Sequence, residues 1–338
     1  MLANQHSPLE SAASRDASAT VCRDVTVVIA AWRAASTIGR AVASALAQPE
    51  AAEVVVVDDA SGDDGATLAA ARAADDGTGR LIVLALEKNS GPSAARNTAV
   101  AASKAPWITI LDSDDYFEPG RLKGLMVHAD KGYDVIADDL MQVKDGAPRE
   151  TAEPLWFNEG DAAETDVDFT YFIQSCVPRS ADRPREIGFI KPMIRRTFLE
   201  AHAIRYDEGM RLGEDFDLYA RALAAGGRMR LIPWTGYISV MRAKSLSTHH
   251  SRHDLAQLDA ANTRLLENAA HAEHKRLLQR HRFYIRRRIA WIDFMAGVKS
   301  GNAFQAGWVM LKDPRQAPGL IGKFCDMVIR KITGRKNS

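Results

Sequence analysis

A chain of 338 residues, 46% hydrophobic and 26% charged, has the composition of a soluble globular protein and the length for one large α/β domain with an appendage, or for two domains. Its formal net charge of +1 singles out neither a nucleic-acid nor an acidic partner, and no apolar run reaches the length of a membrane span. Three cysteines, Cys22, Cys176 and Cys325, lie too far apart to signal a zinc site or a disulfide framework, which favours a reducing, cytoplasmic setting.

The opening stretch, 1–23, is rich in Ala, Ser and polar residues, lacks the apolar core of a secretory signal and reads as a disordered tail. Order begins with the apolar run Val25 to Trp32, a buried strand. Ile38, Val42 and Leu46 then recur at helical spacing behind Ser36 and Thr37, either of which can cap the helix. A second apolar strand, Glu53 to Val57, ends in Asp58 and Asp59. A helix over Ala66–Ala74, a strand over Leu81–Leu86, a helix over Pro92–Ala102 and a strand over Trp107–Leu111 follow. Strands that are apolar throughout and alternate with helices predict a parallel sheet covered on both faces. In such sheets ligands bind beyond the carboxyl ends of the strands, where both acidic clusters fall.

Asp134 to Asp138 reads as a fifth strand; 141–185 is polar and irregular, in the manner of a variable insertion. Order returns over Ile187–Ile194. A helix near Arg196–Ala201, another from Gly213 through Ala225, and two strands over Met229–Pro233 and Gly236–Arg242 complete this part, and beyond Asp254 the chain reads as helical and basic.

Four constellations carry chemistry. At Asp58-Asp59-Ala60-Ser61 a carboxylate can accept from a base edge or a ribose hydroxyl, or can simply cap the next helix. Asn89 to Asn97 sets Gly91 and Pro92 before a helix bearing Arg96, which either faces a nucleotide or lies on the surface. Asp112, Asp114 and Asp115 follow a strand within four positions and repel one another unless a cation or donors satisfy them. Oxygen ligands at i and i+2 suit Mg²⁺ or Mn²⁺ completed by substrate phosphates, while a solvated acidic turn with Asp114 or Asp115 as cap is the alternative. Glu214-Asp215 opens a helix whose dipole favours the ionised carboxylate that general-base work requires. An ordinary acid pair at a helix start explains it equally simply.

The order Val-Val-Val-Asp-Asp-x-Ser, Gly-x-x-x-Ala-Arg-Asn, Leu-Asp-x-Asp-Asp and Gly-Glu-Asp-x-x-Leu, over roughly residues 24–245, resembles family 2 of the inverting, nucleotide-sugar-dependent glycosyltransferases. Within that family the chain is most similar to soluble exopolysaccharide transferases of the succinoglycan type, which add glucose. The resemblance implies a GT-A, Rossmann-like α/β fold with a mixed central sheet flanked by helices, over 24–250, and a helical basic extension over 251–338. It places Ala30 and Ala31 near the base, Asp59 on uracil, Arg96 near the nucleotide and Asp112 at the ribose with a metal contact. Asp114 would hold a divalent metal (Mn²⁺ or Mg²⁺) on the diphosphate, with Ser113 and Glu214 also in the nucleotide-sugar site. Arg242 of the loop Met241 to Ser247 would meet the diphosphate, and Asp215 would be the base. Ala30-Ala31-Trp32-Arg33 departs from the family's usual hydroxyl or Pro, Tyr and Asn, which removes any side-chain hydroxyl contact there.

The implied partners are a UDP-sugar and a lipid-linked saccharide, with acceptor-recognising residues in 141–185 and the C-terminal helices. Basic residues alternate with apolar ones from Lys275 to Arg288. Leu320, Ile321, Phe324, Val328 and Ile332 then repeat at helical spacing beside Lys323, Arg330 and Lys331. Such helices either lie on the inner face of an anionic membrane or pack on the main domain. No nucleic-acid module accompanies the charge. A nucleotidyltransferase is disfavoured because no Gly-rich basic loop follows the first strand. A degenerate, non-catalytic transferase domain is the remaining alternative, and all four acidic positions speak against it.

Overall fold

The structure, a computed structural model, describes residues 23–156, 163–177, 187–242 and 250–333. The tail expected over 1–23 lies, except for Arg23, outside these, as do parts of the 141–185 insertion and Ala243–Ser247 of the loop that Met241 opens.

The N-terminal half alternates as the sequence predicts. Strand β1 (Val25–Ala31) leads to α1 (Ile38–Leu46), β2 (Ala51–Asp58), α2 (Ala66–Ala73), β3 (Leu81–Ala85), α3 (Pro92–Ala101) and β4 (Trp107–Ile110). β1 runs parallel to both β2 and β4, and β2 to β3. The all-apolar strands feed two cores at once: Val27 and Ile29 of β1 join Val54 and Val56 of β2 against α1, while Val28, Val55 and Val57 point to the opposite face. Fully burying each such side chain is worth about 1.5–3 kcal/mol, so this double lining fixes the layer order.

The second half turns the sheet mixed. After β5 (Tyr116–Phe117) and α4 (Arg121–Met126) come β6 (Val135–Lys144), β7 (Glu153–Pro154), β8 (Thr165–Val167), α5 (Phe169–Ser175), β9 (Met193–Arg195), α6 (Arg196–Ala201), α7 (Glu214–Ala224) and β10 (Met229–Met241). The order is β3-β2-β1-β4-β9-β6-β10-β5, with β9 antiparallel to both β4 and β6, and β7 and β8 on the margins. The 141–185 region thus carries more structure than its polarity predicts. Strands of two or three residues are held by pairing to β6 and β10, and they leave no periodicity to read.

The two strands expected over Met229–Pro233 and Gly236–Arg242 are one. β10 stays parallel to β6 with a register shift between Ile232 and Tyr237, so Pro233, which has no N–H to donate, sits at a bulge rather than a turn. Gly236 is required there: its φ is +146°, and a Cβ would fall 2.9 Å from Cβ of Arg121.

Helices α8 (Arg252–Asn268) and α9 (Ala272–Lys299) form an antiparallel pair, followed by α10 (Ala303–Lys312) and α11 (Ala317–Thr333). Ser251 and Asp254 close a reciprocal capping box at the start of α8. Leu255, Leu258, Leu265, Leu278 and Ile285 join the core that contains Val28, so α8 and α9 share their interior with the sheet. Arg282 and Arg286 of the basic run both pair with Asp259, at 3.0 and 3.1 Å. The apolar repeat expected on α11 divides: Leu320 is buried and Phe324 packs on Phe294, whereas Ile321 and Val328 are exposed. The side chain of Ile332 is outside those described. No helix among the described residues is long and apolar enough to cross a membrane.

Candidate active site

The acids leave the sheet at the carboxyl ends of β2 and β4 and meet the start of α7. Asp58 closes its own turn, accepting the Ser61 N–H at 3.1 Å and the Ser61 hydroxyl. Asp59 accepts the N–H groups of Ser90 at 2.6 Å and Gly91 at 2.8 Å, which clamps the loop that starts α3. The carbonyl of Ala31 receives the Asp59 N–H at 2.8 Å, Ala30 is half-buried beside it, and the half-exposed indole of Trp32 stands where the usual aromatic–amide pattern is missing.

Arg96 is no surface residue. Buried in α3, it donates from Nη1 to Glu214 at 2.7 Å and from Nη2 to Asp112 at 3.0 Å, with Asp215 at 3.5 Å and the Tyr206 ring centroid 5.2 Å away. Lys191 enters from the opposite side. Its Nζ lies 2.6 Å from Oδ2 of Asp215 and 3.1 Å from Oδ2 of Asp112, and the residue is 7% exposed. Tyr206 donates its hydroxyl to Oδ1 of Asp215 at 3.1 Å. Two buried cations therefore bridge three carboxylates from β4 and α7. Burial alone would raise the pKa of Asp112, but Lys191 and Arg96 hold it down to about 2. Burial opposes the Lys191 charge as well, yet Asp112 and Asp215 raise its pKa above the usual lysine value.

The first turn of α7 is set by Gly213, whose φ of +73° suits the left-handed cap. A Cβ there would fall 2.7 Å from Cδ1 of Leu258, so α8 packs directly against the turn that presents Glu214 and Asp215.

The three acids after β4 have separate fates. Asp112 belongs to the cation cluster. Asp115 is buried and takes the Tyr237 hydroxyl at 2.8 Å and the Val240 N–H at 2.7 Å, tying the turn to β10. Burial, then Asp112 and Asp114, push its pKa well up. Neither the solvated-turn nor the metal-ligand reading describes it. Asp114 is partly exposed, 4.0 Å from Nε of Arg242, and its pKa is raised by burial and by Asp112. Ser113 is half-buried between them. Nε of Arg96 and Nε of Arg242 are buried without a hydrogen-bond partner among the described residues. A cavity of about 520 Å³ opens behind Tyr206, its walls combining Ile108, Ile194, Leu199 and Leu218 with Arg196 and Glu200.

This geometry has relatives. The profile of Glycosyl transferase family 2 matches residues 26–181. Succinoglycan biosynthesis protein ExoU of Rhizobium meliloti (strain 1021) is 45% identical over 301 residues, 88% of this chain and 86% of its own. The chain belongs to glycosyl transferase family 2. Another family relative, succinoglycan biosynthesis protein ExoO of the same organism, is 42% identical over 66% of this chain and 62% of its own. Crystal structures of S. aureus TarS share the fold: the complex of residues 1–349 with UDP-GlcNAc matches with a TM-score of 0.59 at 17% identity, over 87% of this chain and 92% of that one. The complex with UDP matches with 0.53 at 19% identity, over 79% and 70%. The mixed sheet is thus the GT-A fold of a family 2 glycosyltransferase.

Of the residues singled out in the sequence, Arg96, Asp112, Glu214 and Asp215 converge in one cluster, with Asp114 and Arg242 at its rim. Ala30, Ala31 and Asp59 line the ends of β1 and β2, and Arg96 bridges Asp112, just beyond β4, to Glu214 and Asp215 of α7. Lys191 and Tyr206 were not legible as site residues. The signal for Lys191 was a lone lysine in the run Gly188 to Ile194, a position where lysine is buried only when paired.

Proposed function

We propose that this family 2 enzyme moves a hexose, with glucose as the first candidate, from a UDP-sugar to a lipid-linked saccharide in exopolysaccharide or cell-surface polysaccharide synthesis. The likeness to ExoU over most of both chains supports the polysaccharide setting, and the TarS complexes with UDP and UDP-GlcNAc support the donor class. The observation that carries the reading is the buried Asp112–Lys191–Asp215–Arg96 cluster at the mouth of the sheet.

In this reading Asp59 and the backbone at Ala30 and Ala31 hold the uracil, Asp112 the ribose, and Arg242 and Arg96 offer Nε–H groups that make no hydrogen bond among the described residues to anionic oxygens. Asp215 removes the proton from the acceptor hydroxyl as its oxygen attacks the anomeric carbon from the face opposite UDP. That single displacement inverts the anomeric configuration and needs no second carboxylate nucleophile. Arg242 and Lys191 stabilise charge on the departing diphosphate.

Among the described residues no group of three or more His, Cys, Asp or Glu side chains is set for a metal. One or two carboxylates completed by phosphate oxygens is, however, the usual arrangement for Mg²⁺. Asp114 fits that part, since its carboxylate is partly exposed and its pKa is raised by burial and by Asp112, a load that a cation relieves. Asp112 fits less well, because Arg96 and Lys191 already occupy its two oxygens. A bound Mg²⁺ or Mn²⁺ would supply charge neutralisation at the diphosphate.

Incubation with a panel of UDP-sugars, Mn²⁺ or Mg²⁺ and membrane lipid extract should release UDP. Chelator or Asp114→Ala should lower release about 100-fold and weaken UDP binding. Release by neither UDP-glucose nor any other UDP-sugar would favour the non-catalytic alternative, and UDP binding indifferent to both chelator and Asp114→Ala would remove the metal role.

Residues 251–338 we assign as an extension of the 24–250 transferase domain that brings it to a lipid surface. The support is on α10 rather than on the basic run of α9: Phe304, Trp308 and Leu311 recur along one stripe and are 82%, 58% and 72% exposed. Lys299 and Lys312 flank it, which complements an anionic membrane, while Arg315 is paired with Asp313. Vesicles containing phosphatidylglycerol should retain the wild type and shift its Trp emission to the blue, and Phe304→Ser/Trp308→Ser/Leu311→Ser should lose at least about tenfold in partitioning. Equal binding by both proteins would refute the assignment, as would a stripe covered by a second copy in sedimentation.

A further inference from the structure

Asp215 is covered in the arrangement described. Its side chain is 9% exposed, Oδ2 is held by Lys191 at 2.6 Å, and Oδ1 faces Tyr206 at 3.1 Å and Arg96 at 3.5 Å. A base must come within hydrogen-bond reach of the acceptor hydroxyl; Oδ2 accepts from Lys191 and still has a lone pair, but it is covered, so one of these three groups has to swing aside to let a hydroxyl reach it.

Two of them are fixed. Arg96 spans Asp112, Glu214 and Asp215 with a planar fork whose partners lie on different elements. Tyr206 is buried in the main core, and its backbone N–H and carbonyl are both held by the side chain of Asn97, each at 3.0 Å. Lys191 differs. Its backbone is pinned, with the carbonyl accepting from Arg121 at 2.6 Å. Its ammonium, by contrast, is a point charge on a four-carbon stem with rotatable donors. That charge is shared between Asp215, the base, and Asp112, which sits two residues before Asp114 at the donor end of the cluster.

We propose that Lys191 is a donor-operated latch: the diphosphate of the nucleotide-sugar draws its ammonium away from Asp215, and only then is Oδ2 open to the acceptor hydroxyl. The inference rests on the UDP-sugar reading above. It makes the enzyme bind donor before acceptor and keeps the base covered while no donor is present. It also makes Asp215 and the diphosphate compete for the one ammonium, so removing the carboxylate strengthens the hold on the diphosphate.

Calorimetric titration with UDP, and with uridine as the control that lacks the diphosphate, tests this without an acceptor. Asp215→Asn releases the ammonium and should bind UDP about tenfold more tightly than the wild type, with uridine unchanged. In Asp215→Asn/Lys191→Met the gain should vanish, leaving UDP affinity at or below that of the wild type. The double variant removes the charge of Asp215 together with the cation that pairs with it, and Asp112 keeps Arg96, so it is the control should Lys191→Met alone not fold. A gain that survives in the double variant would reduce the effect to simple repulsion between Asp215 and the diphosphate and overturn the latch. Unchanged UDP affinity in Asp215→Asn would do the same. Failure of all these proteins to bind UDP would instead strike the donor reading itself.

Discussion

Asp215→Asn should lower turnover about a thousandfold while UDP remains bound. A positioned general base contributes about 10²–10⁴ in rate, and the amide keeps the shape of the carboxylate while losing its capacity to accept a proton. The fold should tolerate the change, since Tyr206 and Arg96 can still donate to the amide oxygen and Lys191 retains Asp112 as a partner. UDP release under saturating donor, alongside the titration with UDP, separates the two effects. Wild-type turnover in Asp215→Asn would remove the base assignment. A parallel loss of UDP binding would move Asp215 into the donor site.

The largest effect on stability should come from Arg121→Met. Arg121 and Asp138 are both fully buried and paired at 2.7 Å, and the guanidinium stacks 4.5 Å from the Phe117 ring and 5.0 Å from that of Tyr237. Without it Asp138 keeps the Thr235 hydroxyl at 2.8 Å and no cation. Leaving one member of a buried pair uncompensated costs about 3–5 kcal/mol, which urea denaturation reads as a lower midpoint. Asp138→Leu added to Arg121→Met should restore part of the loss, because a neutral, apolar pair avoids the buried charge. A change below about 1 kcal/mol in the single variant would show that the pair does not organise the sheet. Activity should fall as well, since Arg121 also holds the carbonyl of Lys191 and packs against the ring of Tyr237, the partner of Asp115.

The parts legible in the sequence share a physical basis. β1, β2 and β4 bury both faces, so their apolar runs are visible without any knowledge of their neighbours. The acids at their ends stand out against that background. What the sequence hid depends on partners far along the chain. Lys191 is buried only because Asp112 and Asp215, 79 and 24 positions away, neutralise it, and no local pattern encodes that. Asp115 looked like one more acid in a turn until Tyr237 and Val240, on a strand 122 and 125 residues on, supplied its donors. The α11 repeat was visible, but whether a face meets protein or solvent is decided by Phe294 and its neighbours rather than by spacing. The α10 stripe, equally periodic, gave no sign of its exposure.

The fit of Leu258 against Gly213 bears on how this enzyme can be recombined with its relatives. The C-terminal helices are not cargo appended to a self-sufficient catalytic module. Leu258 stands where a Cβ on Gly213 would have to go, Phe216 of α7 faces His281 of α9 with 4.6 Å between ring centroids, and both contacts lie within three residues of Asp215. A chimera spliced at the end of β10 would therefore inherit a foreign wall behind Asp215, whereas one spliced after α9 would carry the wall along. Exchange of parts between such enzymes therefore has to keep β1 through α9 together, and α10 and α11 are themselves fitted to α9: a Cβ on Gly297 would fall 2.8 Å from the Ala306 nitrogen, and Phe324 packs on Phe294.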